Sequence, residues 1–350
     1  MPSKIRSLLS QYYPPKPTFT EAQLTPGSQA GRIFIVTGGN AGIGFELCKL
    51  LVTTGATVYM ASRSKEKAEA AIAKIAANTP QNKSGYGKIK FLHLDLADLR
   101  IVQTAVREFA RQESRLDVLW NNAGTGGNAV EFGSRTAQDL EPLVGMHCVG
   151  TLLFTELLRP FLRATASEGA TRPGSTRVLW LTTNLVDTNA PRNGVDFAQL
   201  DRGYRDGAKN YAASKAGTWI LAREFGSRYG HGEDGILSLT VNPGVARAGS
   251  YAGTNRALMA VLDVVVMHDT IYGAYTELYA GLSPDVRPED QMGLILPWGR
   301  VGPVELAWRQ DIVRAIEPES KGGLGYGEKL WNWCEEQWKP HLKDSPSSTS

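Results

Sequence analysis

The chain has 350 residues, of which 42% are hydrophobic and 21% are charged, as in an ordinary globular protein. Its formal net charge of +3 at pH 7 is small for this length and does not indicate nucleic acid or an acidic membrane as a partner. Cys48, Cys148 and Cys334 lie far apart and the five histidines are scattered, so we expect neither a disulfide framework nor a metal site. No signal-peptide pattern or bilayer-length apolar run is present, so we expect a cytoplasmic protein without a transmembrane segment.

Residues 1–30 contain several prolines and little periodicity, which predicts an N-terminal extension. From residue 31 onward, short apolar runs alternate with segments of helical spacing. Strands are predicted over residues 32–37, 57–61, 89–95, 117–121, 177–182 and 236–241, and helices over 45–53, 65–77, 99–111, 140–162 and 211–229. Apolar strands separated by helices predict a single α/β domain over residues 31–340, with a doubly wound parallel sheet. The tail 341–350 is expected to be disordered.

The segment from Thr37 to Gly44 reads T-G-x-x-x-G-x-G and joins a predicted strand to a predicted helix. In such a turn, a dinucleotide pyrophosphate can rest on free backbone N–H groups at the helix start. Gly38 allows the tight turn, Gly42 allows the backbone to approach the phosphates, and Gly44 allows the helix to pack on the strand. The spacing differs from the common G-x-G-x-x-G, and a glycine-rich surface loop is the alternative.

Other polar residues and glycines lie where predicted strands end, the edge at which doubly wound sheets bind their ligands. The segment from Asn121 to Gly124 reads N-N-A-G and forms either an ordinary turn or a cofactor wall. Asp95 ends the third strand, where its carboxylate either contacts an adenine edge or caps the next helix.

The end of the second predicted strand bears on the choice of cofactor. An acidic residue there would bind the free ribose 2′-OH of NAD, but the sequence has no carboxylate before Glu66. Arg63 instead presents a planar cation suited to a phosphate, unless it is simply a solvated surface arginine. We therefore expect NADP(H), with NAD(H) as the less favoured cofactor.

Tyr211 and Lys215 stand four positions apart, on one face of a predicted helix. A lone Y-x-x-x-K is common by chance, but this pair follows the glycine turn and the N-N-A-G segment. From about residue 32 to residue 244 the chain thus resembles a short-chain dehydrogenase/reductase, with the motifs in the expected order. Fungal members close to the retinol-dehydrogenase-like branch are similar in the segments 195–200, 273–276, 278–284, 297–300 and 330–336.

The resemblance implies a Rossmann fold and hydride transfer between a nicotinamide and an apolar ketone, aldehyde or alcohol, such as an intermediate of fungal secondary metabolism. It implies four catalytic residues, namely Tyr211, Lys215, Thr183 and His147. The cofactor-binding positions expected from the motifs and the resemblance are Thr37, Gly38, Asn40, Gly42, Ile43, Gly44, Arg63, Asp95, Leu96, Asn122, Ala123, Gly124, Tyr211, Lys215, Pro243 and Val245. Family members are often dimers or tetramers, so a homo-oligomer is an open expectation.

A tyrosine acid/base needs electrostatic help. A free tyrosine has a pKa of ~10, so proton exchange near neutrality needs a drop of about three units, or about 4 kcal/mol. One ammonium at ~5 Å in an effective dielectric of ~20 supplies about 3 kcal/mol. Lys215, together with the positive charge of an oxidised nicotinamide, therefore supplies about the stabilisation that proton exchange by the tyrosine near neutral pH requires.

Three positions depart from the family pattern. Thr183 stands in place of the catalytic serine and keeps the hydroxyl, although its methyl group restricts the side chain. His147 stands in place of the helix asparagine, whose backbone carbonyl holds a relay water in the family; the histidine either relays protons or is simply packed. Ala248 replaces a threonine that contacts the nicotinamide amide in many relatives.

The substrate side is expected from the insertion after Thr183 and from about residue 245 to 300. Seven residues there form either an apolar lid or a core helix: Tyr251, Leu258, Met259, Val261, Leu262, Val265 and Met267. Two rival functions follow from Thr183 and His147: a cofactor-binding protein without redox chemistry, and an enzyme redirected to a non-redox step.

Overall fold

The computed structural model describes residues 9–78, 85–168, 172–232, 234–246, 267–304 and 307–342. In these residues, eight strands form one sheet with the order β3-β2-β1-β4-β5-β6-β7-β8. Neighbouring strands are parallel except β7 and β8, which form an antiparallel hairpin. The strands are β1 (Ile33–Thr37), β2 (Thr57–Ser62), β3 (Lys88–His93), β4 (Val118–Asn121), β5 (Arg177–Leu181), β6 (Leu237–Val241), β7 (Leu294–Leu296) and β8 (Arg300–Gly302).

Helices cover both faces of the sheet. The main helices are α1 (Gly42–Val52), α2 (Lys65–Asn78), α3 (Leu99–Ala110), α4 (Thr151–Ala166), α5 (Leu185–Asn189), α6 (Gly207–Tyr229), α7 (Thr270–Leu282), α8 (Gln310–Ile316) and α9 (Tyr326–Trp338). Within the described ranges, no helix combines the length and apolar character that a membrane span requires.

The doubly wound α/β prediction is confirmed. The six predicted strands are found with ends shifted by at most two residues, and four of the five predicted helices with ends shifted by at most four. The helix predicted over residues 140–162 differs most, because it is not uniform: one turn, Pro142–Val144, is followed by a π-helical segment, Gly145–Gly150, before α4 begins. The hairpin of β7 and β8 was not predicted, and the tail lies outside the described residues from position 343 on.

Successive side chains of each strand point to opposite faces of the sheet. Because helices cover both faces, both sets of side chains are buried. In β1, Ile33 and Ile35 belong to one apolar cluster with α3, α4 and α6. Phe34 and Val36 belong to a second cluster, with α1, α2 and α7. All five residues of β1 are buried, which explains the continuous apolar run in the sequence.

The C-terminal tryptophans pack into the domain. Trp331 is fully buried and Trp338 is 5% exposed, both on α9, which packs against α6. The Arg228 guanidinium lies 4.3 Å from the centroid of the Trp331 ring. The aromatic residues of α9 therefore close one face of the core.

Helix α7 places a carboxyl group in the interior. Glu277 has no exposed surface, and both of its carboxyl oxygens lack a hydrogen-bond partner among the described residues. Burial raises the pKa of Glu277 well above its usual range, although the nearby Lys215 charge opposes the shift. Burial therefore favours the neutral form of the Glu277 side chain in the folded state.

This burial predicts a pH-dependent effect of Glu277→Gln on stability. Above its ordinary pKa of 4.5, the native state keeps a proton on Glu277 that the unfolded chain has lost. The free energy of unfolding of the wild type then falls as pH rises, by up to about 1.4 kcal/mol per pH unit, whereas glutamine removes this dependence. We expect the melting temperature of Glu277→Gln, relative to wild type, to rise between pH 5 and 8.

The measurement is thermal unfolding of both proteins at constant ionic strength. Glu328→Gln is the matched control, because Glu328 is exposed on α9 and the change also removes one carboxylate. We consider the melting temperature of Glu277→Gln minus that of wild type. If this difference stayed constant or fell as the pH rises, the assignment of Glu277 as a buried neutral carboxyl would be contradicted.

Candidate active site

A cavity of about 540 Å³ lies beyond the carboxyl ends of β1, β2, β3, β4, β5 and β6. The structure brings together nearly all of the predicted site residues around it. Those that line it are Gly38, Asn40, Gly42, Ile43, Gly44, Arg63, Asp95, Leu96, Asn122, Ala123, Gly124, His147, Thr183, Tyr211, Lys215 and Pro243. Thr37 is buried beneath this lining, and Val245 is buried between Gly244 and Ala246, which line the cavity.

Thr37 joins the end of β1 to the end of β4. Its hydroxyl donates to the Trp120 carbonyl at 3.2 Å and accepts from the Ala123 N–H at 2.9 Å. The Asn122 Nδ2 donates to the Thr37 carbonyl at 2.6 Å. The two loops that form the floor of the cavity are therefore fixed to each other by side-chain hydrogen bonds.

The turn between β1 and α1 requires glycine for two reasons: some positions have positive φ angles, and at another a side chain would collide with neighbouring atoms. Gly38 has φ +68° and Gly42 has φ +56°, in the region that glycine adopts most readily. A Cβ on Gly44 would lie 2.5 Å from Asn122 Nδ2 and 2.7 Å from the Gly38 carbonyl oxygen. The residues present thus leave backbone N–H groups at the start of α1 open toward the cavity, which fits a pyrophosphate.

Two cations lie at the end of β2. Arg63 and Lys67 both line the cavity and are exposed, and neither forms an ion pair with a carboxylate in the described part of the chain. Ser62 and Ser64 line the same end. The sequence analysis singled out Arg63 but not Lys67, although the spacing of four residues between the two cations was a usable signal.

Asp95 is held by the turn that follows β3. Its Oδ1 accepts from the Ala97 N–H at 2.9 Å, and its side chain lines the cavity. The alternative expectation, that Asp95 caps the next helix, is wrong, because Asp98 caps α3 by accepting from the Arg100 N–H.

Tyr211 and Lys215 lie on one face of α6, whose N-terminus is capped by Asp206. The Lys215 Nζ lies 6.0 Å from the centroid of the Tyr211 ring and donates to the Leu181 carbonyl at 3.0 Å. Burial lowers the pKa of Lys215 to about 8, so the amine is mainly protonated at neutral pH. A Cβ on Gly124 would lie 3.2 Å from this Nζ, which shows how tightly the loop after β4 fits against the lysine.

Thr183 follows β5 and is half-buried at the cavity wall. Its hydroxyl accepts from the Leu185 N–H at 3.3 Å and donates to the Asn184 Oδ1 at 3.3 Å. Both distances are long, so the hydroxyl can rotate toward a ligand oxygen at small cost.

His147 lies in the π-helical segment and both of its ring nitrogens have partners. Nε2 accepts from the Thr125 N–H at 3.1 Å, so the ring proton is on Nδ1, which lies 2.9 Å from the Ser214 Oγ. The Ser214 hydroxyl in turn donates to the Tyr211 carbonyl at 2.8 Å. Burial, with the Lys215 charge added, lowers the pKa of His147 well below its usual range. The imidazole is therefore neutral and of one tautomer.

The cavity is also lined by residues that the sequence analysis did not single out. Thr125, Asn128, Met146, Leu185 and Ala208 line it. The predicted lid from Tyr251 to Val265, and Ala248, lie outside the described residues, and Met267 is buried. In the insertion after Thr183, Val195 and Leu200 are buried in the core.

The chain matches known proteins over nearly its whole length. The family model for short chain dehydrogenase matches residues 32–170. A short-chain dehydrogenase/reductase from Pestalotiopsis fici is 43% identical over 340 residues, covering 97% of this chain and 100% of that protein. One from Phomopsis amygdali is 37% identical over 345 residues, covering 97% of this chain and 98% of that protein.

Solved structures show the same fold. An uncharacterized protein from Mycobacterium paratuberculosis has a TM-score of 0.61 at 26% identity, covering 92% of this chain and 97% of that one. A short chain dehydrogenase from Shigella flexneri complexed with NADP has a TM-score of 0.53 at 19% identity, covering 77% of this chain and 96% of that one. A 3-oxoacyl-[acyl-carrier protein] reductase from Brucella melitensis in complex with NAD has a TM-score of 0.55 at 21% identity, covering 75% of this chain and 94% of that one. From the identity of the fungal relatives over nearly the full chain, this protein belongs to the short-chain dehydrogenase/reductase family.

Proposed function

We propose that the protein is an NADP(H)-dependent oxidoreductase that interconverts an apolar ketone or aldehyde and the corresponding alcohol. The observation that carries the proposal is the position of Tyr211 and Lys215, side by side at the wall of a glycine-floored cavity. A bound nicotinamide would supply or accept the hydride. The residues of the chain bind and orient the reactants and move the proton.

Tyr211 is the acid/base. Its ring stands at the cavity wall beside His147, with the ring centroids 5.7 Å apart, so the phenol can reach the oxygen of a bound carbonyl. In reduction the phenol gives its proton to the carbonyl oxygen, and in oxidation the phenolate takes the alcohol proton. Thr183 donates a second hydrogen bond to the same oxygen and fixes its direction.

Lys215 makes this proton transfer accessible near neutral pH. The Lys215 Nζ lies 6.0 Å from the centroid of the Tyr211 ring. An ammonium at about 6 Å from a phenolate charge, in an effective dielectric of about 20, stabilises the phenolate by about 3 kcal/mol. Because Lys215 is only 3% exposed, this attraction is weakly screened by salt. The same ammonium lies within reach of Gly124, where the ribose hydroxyls of a bound cofactor would be held.

The hydrogen bonds of His147 favour a structural role, in which the side chain connects two parts of the site, over a role as a proton relay. Each ring nitrogen is already committed, one to Thr125 and one to Ser214, and burial lowers the pKa of His147 well below its usual range, which opposes protonation of the ring. The imidazole therefore ties the loop after β4 to helix α6. Thr125, which it holds, lines the substrate side of the cavity.

The preference for NADP(H) is supported by Arg63 and Lys67. The ribose 2′-phosphate of NADP would lie at the end of β2, where these two cations and the Ser62 and Ser64 hydroxyls meet. Asp95, the acidic residue of the described cavity lining, follows β3 and accepts from the Ala97 N–H, whereas no carboxylate of that lining follows β2, where the free 2′-OH of NAD would be bound.

Replacing both cations by alanine tests this cofactor preference. Because both side chains are exposed, each contact contributes about 1 kcal/mol, so Arg63→Ala with Lys67→Ala is expected to raise the Kd for NADPH about 30-fold. The Kd for NADH is expected to stay within about twofold. Fluorescence titration with both cofactors, followed by a panel of aldehydes, ketones and alcohols, measures affinity and activity.

Lys65→Ala is the matched control. Lys65 starts α2 between the two cations in sequence, but it pairs with Glu69 at 3.7 Å. Its loss is expected to leave both affinities unchanged. Tighter binding of NADH than of NADPH by the wild type would overturn the preference.

A further inference from the structure

The N-terminal extension reaches the active-site loops. A helical turn over residues 9–12 lies against the loops that follow β5 and β6, and Gln11 within it is only 6% exposed. The Gln11 Oε1 accepts from the Asn242 Nδ2 at 2.7 Å, and its Nε2 donates to the Asp187 Oδ2 at 3.3 Å. One side chain from outside the sheet thus bridges two loops that flank the cavity.

The first of these loops carries Thr183. Asp187 lies on α5, in the turn that begins at Thr183, where the Val186 N–H donates to the Thr183 carbonyl at 3.2 Å. Burial raises the pKa of Asp187 to about 6, while the Gln11 amide and the Arg309 charge oppose the shift. At neutral pH the half-buried Asp187 carboxylate receives this hydrogen bond, which at 3.3 Å is the longer of the two that Gln11 makes.

The second loop lines the cofactor side. Asn242 follows β6, is 2% exposed, and accepts from the Gly244 N–H through its Oδ1 at 3.1 Å. The next residues, Pro243 and Gly244, line the large cavity. Asn242 therefore links Gln11 directly to the backbone at the cofactor wall.

The bridging turn is itself anchored and lies behind Thr183. The Arg300 guanidinium of β8 donates to the Ser10 carbonyl at 2.9 Å, which fixes the turn to the edge of the sheet. Gln11, Asp187, Asn242 and Thr183 together line a small cavity of about 20 Å³. The bridge is thus directly behind the hydroxyl that the proposed reaction uses.

We propose that Gln11 is a positioning residue of the active site, which fixes the Thr183 loop relative to the cofactor loop at Asn242. The inference rests on the proposed function, because Thr183 is assigned there to the substrate oxygen. Gln11 acts through the two loops, and a shift of about 1 Å at a reacting group can cost about 10²-fold in rate. A smaller loss is expected here, because Arg309 also holds α5, donating to the Val186 carbonyl at 2.9 Å.

The test compares Gln11→Leu with wild type in the full-length, NADPH-bound protein. Leucine keeps the volume and removes both hydrogen bonds. We expect kcat to fall about tenfold, with KM for the carbonyl substrate changed by less than about threefold, because orientation rather than binding is lost. Hydrogen–deuterium exchange is expected to become faster in peptides covering residues 183–189 and 242–246, and to stay unchanged elsewhere.

Tyr13→Ala is the control, because Tyr13 lies in the same segment and is 63% exposed. It is expected to match wild type in kcat and in exchange. An unchanged kcat in Gln11→Leu, or unchanged exchange in both loops, would overturn the inference. If wild type reduces no carbonyl at all, the proposed function fails, and the exchange measurement alone then decides whether Gln11 fixes the two loops.

Discussion

Tyr211→Phe is expected to lower kcat/KM about 10³-fold, a loss of about 4 kcal/mol of transition-state stabilisation. The substitution removes only the phenolic oxygen, which is the proton donor and acceptor of the proposed reaction. The ring still packs against His147 at 5.7 Å between centroids, so the shape of the cavity is kept. The Kd for NADPH, measured by fluorescence titration, is therefore expected to change by less than about threefold.

Tyr204→Phe provides a matched control for this change. Tyr204 stands just before α6 and its ring packs beside Lys209, 4.4 Å from Nζ to centroid. Loss of this hydroxyl is expected to leave kcat/KM unchanged. If Tyr211→Phe kept full turnover, the proton would have to come from another group and the proposed mechanism would be wrong. If wild type bound NADPH but reduced no carbonyl in a broad panel, a non-redox role would replace it.

The fold and the position of the site were largely predictable because they follow from local patterns. The buried runs of β1, β2 and β4 are continuous because helices cover both faces of the sheet. In a parallel sheet, the residues after each strand meet at one edge. Glycines, Asn122 and Asp95 could therefore be assigned to one cavity before any contact was known.

What the sequence could not reveal depends on contacts between distant residues. Strands β7 and β8 have three residues each, too few for a periodic signal, and they pair through a turn in which Trp298 has φ +69° and Gly299 has φ +88°. The neutral tautomer of His147 follows from its partners Thr125 and Ser214, 22 and 67 positions away. No local pattern encodes such a pair.

The Gln11–Asn242 contact is a further case, since 231 positions separate its partners. The proline-rich composition around it predicts an extension but not where that extension packs. The site is thus assembled at two levels: motifs place the reacting groups at one edge of the sheet, and long-range polar contacts fix their mutual orientation.

Gly44→Ala is expected to raise the Kd for NADPH about 100-fold, or about 2.7 kcal/mol. The added Cβ would lie 2.5 Å from Asn122 Nδ2 and 2.7 Å from the Gly38 carbonyl oxygen, separations that no methyl group tolerates. To relieve these two clashes, the start of α1 has to move away from the loop after β4. The neighbours themselves cannot yield easily, because the Gly38 oxygen belongs to the backbone and the Asn122 side chain is hydrogen-bonded to the Thr37 carbonyl at 2.6 Å. Such a shift displaces the N–H groups that would bind the pyrophosphate, and overpacking of this kind costs about 1–3 kcal/mol by itself.

Fluorescence titration with NADPH, alongside thermal unfolding without cofactor, separates lost affinity from lost folding. Gly133→Ala is the control, because a Cβ there meets nothing within 4 Å, although its φ of +92° makes the alanine strained. That variant is expected to lose some stability and no affinity, whereas Gly44→Ala loses affinity even at temperatures where it is folded. Unchanged affinity in a folded Gly44→Ala protein would mean that the start of α1 does not bind the pyrophosphate. The glycine turn would then serve only to pack α1 on β1, and the cofactor would have to be held by the residues after β2 and β4.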